Sequence, residues 1–383
     1  MSAKHNRLRV ISVVGTRPEI IRLSRVHAKL DLECNLSIVH TGQNYDYELN
    51  EIFFDQLEIK SPDYYLSAAK ETAVKTMGSV LFKFDDLLDQ LEPEAVLVLG
   101  DTNSAISLLA AKRRKIPTFH MEAGNRCYDP RVPEELNRRM VDHIADVNLT
   151  YSAIARENLL REGLPPDRTI RIGSPMKEVL DFYRSDIVGS DILDRLSLAS
   201  GSYFVISVHR EENVADDFRF DSVIKIINGL AATYQLPVIV STHPRTRKRL
   251  IERESVIDSR VRFLKPLGFF DYNKLQICAK AVLSDSGTIT EEASILGFNA
   301  LNLRDTHERH EGMEQAVVMF SGLRWERVRQ CLDILIDPAH DSLTPIINSV
   351  PDYEDANVSE KVVRIIHSYV GYVNRTVWRR NDG

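Results

Sequence analysis

Three carboxylates stand at points of the chain where apolar runs end or a helix begins. Asp101 follows AVLVLG, Glu122 follows IPTFHM, and Glu134 follows Pro133 within VPEELNRR. Carboxylates that converge in a partly dry site repel one another, which raises some of their pKa values. One can then act as a base and another as an acid near neutral pH. These residue types therefore indicate proton transfer, with Asp101, Glu122 and Glu134 as the candidate catalytic groups.

The same acids could instead stabilise a helix or bind a metal. Proline is favoured at the first position of a helix, so Glu134 and Glu135 would also complement the helix dipole, by about 0.3–1 kcal/mol each. Clustered carboxylates can also hold a divalent metal, but the arginines of GNRCYDPRVPEELNRR would compete for the same oxygens. We therefore predict that this site contains no metal.

Candidate anion ligands occur beside other apolar runs. Arg17 and Arg22 lie in GTRPEIIR, and a guanidinium group can bind two phosphate oxygens at once. His209 follows YFVISV and precedes Arg210, which favours an anion site over a histidine that only supports the fold. His243, in the segment HPR, could likewise bind an anion or only support the fold.

A turn in the second half of the chain has the composition of a phosphate site. Ser286, Gly287 and Thr288 follow AVLSD and open a helical pattern, so backbone N–H groups and the helix dipole would face a bound anion. Glu292 lies in the first turns of that helix, where it could hold a pair of sugar hydroxyls or only complement the dipole. Arg309, in RDTHERHEG, either serves the same site or belongs to a solvated charged loop.

The apolar runs indicate the elements that position these residues. Two series of five short runs occupy residues 8–15, 36–42, 95–101, 116–124 and 147–152, and then 203–209, 236–243, 261–267, 281–287 and 298–303. Continuous apolar strands that alternate with helices are typical of parallel sheets covered on both faces. The sequence predicts an α/β fold of two doubly wound, Rossmann-like domains whose polar strand ends face an inter-domain cleft. It contains no GxGxxG loop, so we predict no nicotinamide cofactor.

The pattern weakens near residues 172–182, where Gly173 and Pro175 interrupt it. We predict an N-terminal domain over residues 1–173 and a C-terminal domain over residues 174–357. Residues 358–383 contain a helical pattern, and we expect this closing helix to pack back on the N-terminal domain.

The composition is that of an ordinary globular protein. The 383 residues are 43% hydrophobic and 27% charged, enough for two cores, and the net charge of −6 gives no support to general nucleic-acid binding. Four cysteines without CxxC spacing favour reduced thiols over disulfides or a zinc site. No run approaches the roughly 20 apolar residues of a membrane span, so we expect a cytoplasmic protein without membrane insertion.

Seven motifs, taken together and in this order, resemble those of the non-hydrolysing UDP-N-acetylglucosamine 2-epimerases over nearly the whole chain. They are GTRPEIIR, LVLGDTNS, HMEAGNR, VPEELNRR, HREENV, SDSGTITEEASILG and RDTHERHEG. The resemblance implies a two-domain fold like that of the GT-B glycosyltransferases, a UDP-sugar substrate, inversion at C2 and no cofactor. We also expect a homodimer.

The resemblance assigns roles to particular residues. The catalytic residues it implies are Asp101, Glu122, Glu134 and His209. The substrate and UDP contacts it implies are Arg17, Arg22, Gln43, His243, Ser286, Gly287, Thr288, Glu292 and Arg309. Two of these depart from the common family pattern, since Arg22 replaces a lysine and Thr288 replaces a glycine.

Two stretches, GNRCYDPRVPEELNRR and THERHEGMEQA, are most similar to one branch of the family. That branch acts in capsule and O-antigen pathways and converts UDP-2-acetamido-2,6-dideoxy-L-talose to UDP-N-acetyl-L-fucosamine. The alternative is conversion of UDP-N-acetylglucosamine to UDP-N-acetylmannosamine. A GT-B glycosyltransferase, a hydrolysing epimerase and a catalytically silent UDP-sugar-binding protein are the remaining possibilities.

Overall fold

The computed structural model describes residues 7–42, 56–208, 216–241, 249, 256–337 and 349–380. The chain forms two compact units, the first made of Met1–Asp181 with Asp352–Gly383 and the second of Phe182–Pro351. The boundaries expected from the sequence fall after residues 173 and 357, and that division into domains stays a prediction.

The strands among the described residues are short. They are β1 Arg9–Val14, β2 Asn35–His40, β3 Tyr64–Tyr65, β4 Ala95–Leu99, β5 Thr118–Met121, β6 Val147–Thr150, β7 Thr169–Arg171, β8 Phe204–Ser207, β9 Val238–Ser241, β10 Val261–Leu264, β11 Ala281–Ser284, β12 Ala300–Asn302 and β13 Val318–Phe320.

Helices alternate with these strands. They are α1 Arg17–Glu33, α2 Ala73–Leu91, α3 Leu108–Arg113, α4 Pro133–Ile144, α5 Ala153–Arg161, α6 Met176–Phe182, α7 Arg184–Gly189, α8 Ile192–Arg195, α9 Asp217–Tyr234, α10 Phe269–Ile277, α11 Ile289–Leu296, α12 His310–Glu314, α13 Trp325–Leu335 and α14 Val358–Thr376. Short 3₁₀ turns occupy Asn103–Ser107, Pro166–Arg168 and Pro351–Tyr353.

Each unit is built around one parallel sheet. Within the described residues the strand order is β3-β2-β1-β4-β5-β6-β7 in the first unit and β10-β9-β8-β11-β12-β13 in the second. The order reverses between β1 and β4 in the first sheet and between β8 and β11 in the second. Ligands of doubly wound folds bind at the carboxyl ends of the strands beside such a reversal. The α/β, doubly wound fold predicted from the sequence is confirmed.

The last helix belongs to the core of the first unit. Its apolar side chains recur every three or four residues on one face, at Val358, Val362, Ile366, Val370 and Val373. They pack in the same cluster as side chains from β1, β4, β5 and β6. Burying each such side chain contributes about 1.5–3 kcal/mol, so this helix closes one face of the sheet.

Three strands were not predicted from the sequence, namely β3, β7 and β13, all at the edge of a sheet. β3 and β7, with two and three residues, give no recognisable apolar run, whereas β13 lies in the run AVVMF (316–320), which the prediction did not include. No helix among the described residues is long and apolar enough to span a bilayer.

Candidate active site

Three loops of the first unit lie side by side because their strands are neighbours. β4 pairs with β1 on one side and with β5 on the other, so all three strands end at the same edge. The Gly100 N–H donates to the Met121 carbonyl over 3.0 Å just beyond the ladder. The loops that carry Arg17, Asp101 and Glu122 therefore meet at the reversal point of the sheet.

Glu122 leaves the end of β5 in an unusual conformation. Its φ of 65° lies in the left-handed region, which costs a non-glycine residue free energy and is often found at functional positions. Its carboxylate pairs with the guanidinium of Arg22 from α1, and both side chains are nearly buried. A Cβ added to Gly100 would lie 4.0 Å from Glu122 Oε2, which places this carboxylate beside the residue that precedes Asp101.

Asp101 is held by two residues of α4. Arg138 donates to Asp101 Oδ2 through Nε at 3.0 Å and Nη2 at 2.7 Å. Asn137 donates from Nδ2 to the Asp101 backbone carbonyl at 2.9 Å. The start of α4 is therefore fixed against the loop that follows β4.

Glu134 shares a helical face with the residues that bind the Asp101 loop. Positions three and four apart lie on one side of a helix, so Glu134 projects from the same face of α4 as Asn137 and Arg138. Its side chain is half-buried. Among the described residues it has no hydrogen bond or ion pair, which leaves this carboxylate available for a ligand.

Glu135, the neighbouring acid, has a structural role instead. It is buried and accepts hydrogen bonds from the Cys127 N–H at 3.0 Å, from Arg138 at 3.1 Å and from Arg139 at 3.0 Å. Burial raises the pKa of Glu135, but these donors outweigh it and hold the pKa below its usual value. Of the two acids after Pro133, Glu135 thus belongs to a hydrogen-bond network, and Glu134 has no partner within the described residues.

An ionic network centred on the buried side chains of Arg126 and Asp142 lies near the ends of β4 and β5. Arg126 donates to Asp142 at 2.7 Å and to Glu162 at 2.5 Å. Asp142 also accepts from the Gly124 N–H at 3.2 Å, two residues after Glu122. His120 Nε2 lies 2.7 Å from the Gly100 carbonyl, one residue before Asp101.

These contacts show what most of the arginines of residues 124–139 bind. Arg126, Arg138 and Arg139 pair with buried acids, so these guanidinium groups are structural partners of the carboxylates. No group of three or more His, Cys, Asp or Glu residues in the described part of the chain is arranged to hold a metal ion.

Glu19 is a further acid at this edge, and it was not among the residues predicted from the sequence. It is 2% exposed and accepts hydrogen bonds from the Gly15 and Thr16 N–H groups and from the Thr102 hydroxyl. Burial, with a smaller contribution from Asp101, raises the pKa of Glu19 to about 7 against the effect of these donors. The spacing Thr16-x-x-Glu19 is a capping-box signature, which could have indicated the local contact but not the link to Thr102.

The predicted phosphate turn follows β11 in the second unit. Ser286, Gly287 and Thr288 are half-buried and precede α11. Ser286 Oγ lies 2.9 Å from Thr288 Oγ1 and accepts from the Thr288 N–H at 3.3 Å. The turn is thus ordered by its own hydroxyls at the start of a helix, where an anion is favoured.

The two acids of α11 point to different partners. Glu291 is fully buried and pairs with Arg309 at 2.9 Å, and Arg309 itself is 4% exposed. Glu292 is half-buried and accepts from Gln276 at 2.8 Å. Arg309 is therefore anchored to α11 and does not belong to a solvated loop.

The structure brings Arg22, Asp101, Glu122 and Glu134 to adjoining segments of the first unit, with Arg17 at the neighbouring turn. It places Ser286, Gly287, Thr288, Glu292 and Arg309 around one helix of the second unit. The predicted residues Gln43, His209 and His243 lie outside the described residues.

Known proteins resemble this chain over nearly its whole length. A family model described as UDP-N-acetylglucosamine 2-epimerase matches residues 27–367. The solved structure of UDP-N-acetylglucosamine 2-epimerase from Rickettsia bellii is 47% identical, with a TM-score of 0.89, and the match covers 98% of this chain and 100% of that one.

Two further relatives bear on the substrate. The Methanocaldococcus jannaschii UDP-GlcNAc 2-epimerase, solved in complex with UDP-GlcNAc and UDP, is 29% identical with a TM-score of 0.87, over 94% of this chain and 100% of that one. The UDP-2,3-diacetamido-2,3-dideoxy-D-glucuronate 2-epimerase of Pseudomonas aeruginosa is 33% identical over 307 residues, 79% of this chain and 84% of its own length.

The family match covers most of the chain, and both sheets have the parallel, doubly wound order seen above. The resemblance noted in the motifs is thereby confirmed at the level of the family. The chain belongs to the UDP-N-acetylglucosamine 2-epimerase family.

Proposed function

We propose that this enzyme inverts the configuration at C2 of a UDP-2-acetamido sugar without hydrolysing it, by elimination and re-addition of UDP. Family membership supports an epimerase of the UDP-N-acetylglucosamine 2-epimerase type. The structural observation that carries the proposal is Glu134, a half-buried carboxylate that has no partner in the described part of the chain. It projects from the helix face that contacts the Asp101 loop, and that loop adjoins Glu122.

The chemistry of C2 requires more than one acid or base. No carbonyl adjoins C2, so its proton is not acidic enough for simple removal. In the proposed first step a carboxylate takes the C2 proton while the C1–O bond to UDP breaks, which gives a glycal and free UDP. In the second step a proton is added to the opposite face of C2 and the UDP oxygen attacks C1. Groups on both faces of the ring are needed, and Asp101, Glu122 and Glu134 are the candidates.

Cationic and N–H groups must stabilise the departing diphosphate. We assign this role to Arg17, Arg309 and the turn Ser286–Thr288, with His209 as the associated histidine. Glu292, half-buried on α11, is the proposed ligand of ribose hydroxyls. The remaining proposed contacts, which complete the site carried over from the family motifs, are Arg22, Gln43 and His243.

For the sugar we propose UDP-2-acetamido-2,6-dideoxy-L-talose, converted to UDP-N-acetyl-L-fucosamine for capsule or O-antigen precursors. The segments GNRCYDPRVPEELNRR and THERHEGMEQA support this branch. UDP-N-acetylglucosamine is the second candidate, because relatives that match over 92% or more of this chain carry its name. The proposal includes a homodimer in the cytoplasm, and light scattering of the purified protein would measure its mass in solution.

One experiment tests both the reaction and the sugar. The purified protein is incubated separately with each of the two UDP-sugars, and the C2 configuration is followed by NMR. Inversion of the 6-deoxy-L-talo compound at the higher kcat/KM supports the fucosamine reaction, and the reverse preference favours the second candidate. A protein that binds both but inverts neither would be a UDP-sugar-binding protein. Release of free sugar in step with turnover would indicate a hydrolysing enzyme. Activity that requires an added acceptor would indicate a glycosyltransferase.

The elimination step is tested by running the same reaction in heavy water. The returning proton comes from an enzyme carboxyl group that exchanges with solvent, so the product should carry one deuterium at C2. An inverted product that retains its original hydrogen at C2 would rule out the scheme.

A further inference from the structure

Glu19 connects two loops of the first unit through one buried carboxylate. Its Oε2 accepts from the Gly15 N–H at 2.5 Å and the Thr16 N–H at 2.9 Å, and its Oε1 accepts from the Thr102 hydroxyl at 2.5 Å. Gly15 and Thr16 immediately precede Arg17, and Thr102 immediately follows Asp101. The carboxylate therefore spans the reversal point of the sheet, between the ends of β1 and β4.

The contact with Thr102 exceeds what the cap of α1 requires. A capping box needs only the mutual contacts of Thr16 and Glu19, which are both present. Burying a carboxylate is costly, and the pKa of Glu19 rises to about 7 because of it. Stability of α1 alone does not account for a buried acid that reaches a second loop.

We propose that Glu19 is a positioning residue that holds the turn bearing Arg17 at a fixed separation from the loop bearing Asp101. The inference rests on the proposed function, in which Arg17 contacts the diphosphate and Asp101 takes part in proton transfer at C2. The leaving oxygen is attached to C1, next to C2, so both events occur at neighbouring atoms. If the distance between Arg17 and Asp101 is slightly wrong, the rate therefore falls more than the affinity for the substrate.

Substitutions at Thr102 and Glu19 distinguish the effect of the hydrogen bond between these residues from the effect of the Glu19 charge. Thr102→Val removes the hydroxyl that donates to Glu19 and also accepts from the Ser104 N–H at 3.2 Å, and Thr102→Ser restores both contacts. Glu19→Gln keeps all three contacts, because the Thr102 hydroxyl can accept a hydrogen bond from the new amide. Ser12→Ala is the matched control, since Ser12 and His27 form a buried 2.8 Å hydrogen bond between β1 and α1 away from these loops.

The experiment measures kcat and KM for the preferred UDP-sugar, UDP affinity by calorimetry, and thermal unfolding of each variant. We expect Thr102→Val to lower kcat by about 10- to 100-fold with a change in KM of less than about threefold. Thr102→Ser and Glu19→Gln should retain kcat within about fivefold, and Ser12→Ala should lower only the unfolding temperature.

The outcomes distinguish this inference from the proposed function. An active wild-type enzyme whose Thr102→Val variant behaves like Ser12→Ala overturns the positioning role alone. A wild-type protein that binds UDP but inverts no UDP-sugar overturns the proposed function and this inference with it. If Thr102→Val does not fold, Glu19→Asp makes the same test, because it keeps the charge but shortens the reach by one methylene.

Discussion

At the scale of single residues, the acids of the candidate site differ in what holds them. Asp101 and Glu122 each have an arginine partner, Glu135 is part of a network, and Glu134 has no partner within the described residues. The sequence alone predicts mutual repulsion among three acids. The pairing with Arg138 and Arg22 offsets that repulsion for two of them.

This difference predicts distinct effects of two substitutions. Glu134→Gln should lower kcat by about 10²- to 10⁴-fold, as expected for a lost acid or base, and should lower stability by no more than about 1 kcal/mol, because it removes only the interaction of this charge with the dipole of α4 and no contact among the described residues. Glu122→Gln should lower kcat similarly but also destabilise the protein, since it leaves the nearly buried Arg22 without its carboxylate. Turnover and thermal unfolding measure the two effects. Glu157→Gln, an exposed acid on α5, is the matched control, and near-normal turnover in both variants would remove these acids from the mechanism.

The raised pKa of Glu19 predicts how stability depends on pH. In the unfolded chain this carboxyl has a pKa near 4.5, and in the folded protein about 7. The stabilisation from its neutral form is fully present below pH 4.5 and is lost as the pH rises through about 7. Glu19→Gln has no such loss. Its free energy of unfolding, relative to that of the wild type, should therefore rise by about 3 kcal/mol between pH 4.5 and pH 8.

Fluorescence allows this comparison to be made on the first unit. The protein has two tryptophans, Trp378 in the first unit and Trp325 in the second. In a Trp325→Phe background, urea unfolding followed at Trp378 gives the free energy of the unit that contains Glu19. A difference between the Gln variant and wild type that stays constant across this pH range would contradict the assignment.

At the scale of elements, the approach of α5 to the end of β5 depends on a glycine. Gly124 has a φ of 85°, and a Cβ there would collide with the backbone carbonyl of Ala155 in α5. Gly163 has a φ of 87° but nothing within 4 Å of an added Cβ. The two positions share the left-handed backbone conformation and differ in the space around them.

We therefore expect Gly163→Ala to cost about 1 kcal/mol, the strain of a left-handed alanine, and Gly124→Ala to cost at least about 3 kcal/mol. Because Gly124 follows Glu122 closely, kcat should also fall in the second variant. Urea unfolding monitored at Trp378 measures both costs. Equal costs at the two positions would show that α5 can move away from the strand end.

At the scale of the whole molecule, ligand binding should stabilise the protein. UDP at about 100 times its dissociation constant should add about 2.7 kcal/mol to the free energy of unfolding, provided that only the folded state binds it. Ser286→Ala and Arg17→Ala should each reduce the shift in unfolding temperature at a given UDP concentration, and Glu157→Gln should not. A UDP-induced shift that is the same in all these variants would exclude both residues from the nucleotide site.

Much of the architecture follows from the sequence alone. Continuous apolar runs define central strands because those strands are buried on both faces, and their polar ends mark one edge of each sheet. The ten predicted runs coincide with strands, and the motifs around Asp101, Glu122 and Ser286 predict the family. The edge strands β3 and β7 were missed because two or three residues carry no periodic signal, and β13 was missed although it lies in the apolar run AVVMF.

Only the tertiary structure decided the partners of the charged side chains. Sequence spacing identified Glu134 and Glu135 as one pair of helix-start acids, yet one enters a buried network and the other has no partner within the described residues. The spacing Thr16-x-x-Glu19 is that of a helix cap, but the link of Glu19 to Thr102 joins residues 83 positions apart. Hydrophobic patterning specifies which segments are buried, whereas ion pairs and raised pKa values depend on distances between segments that only the packed sheet brings together.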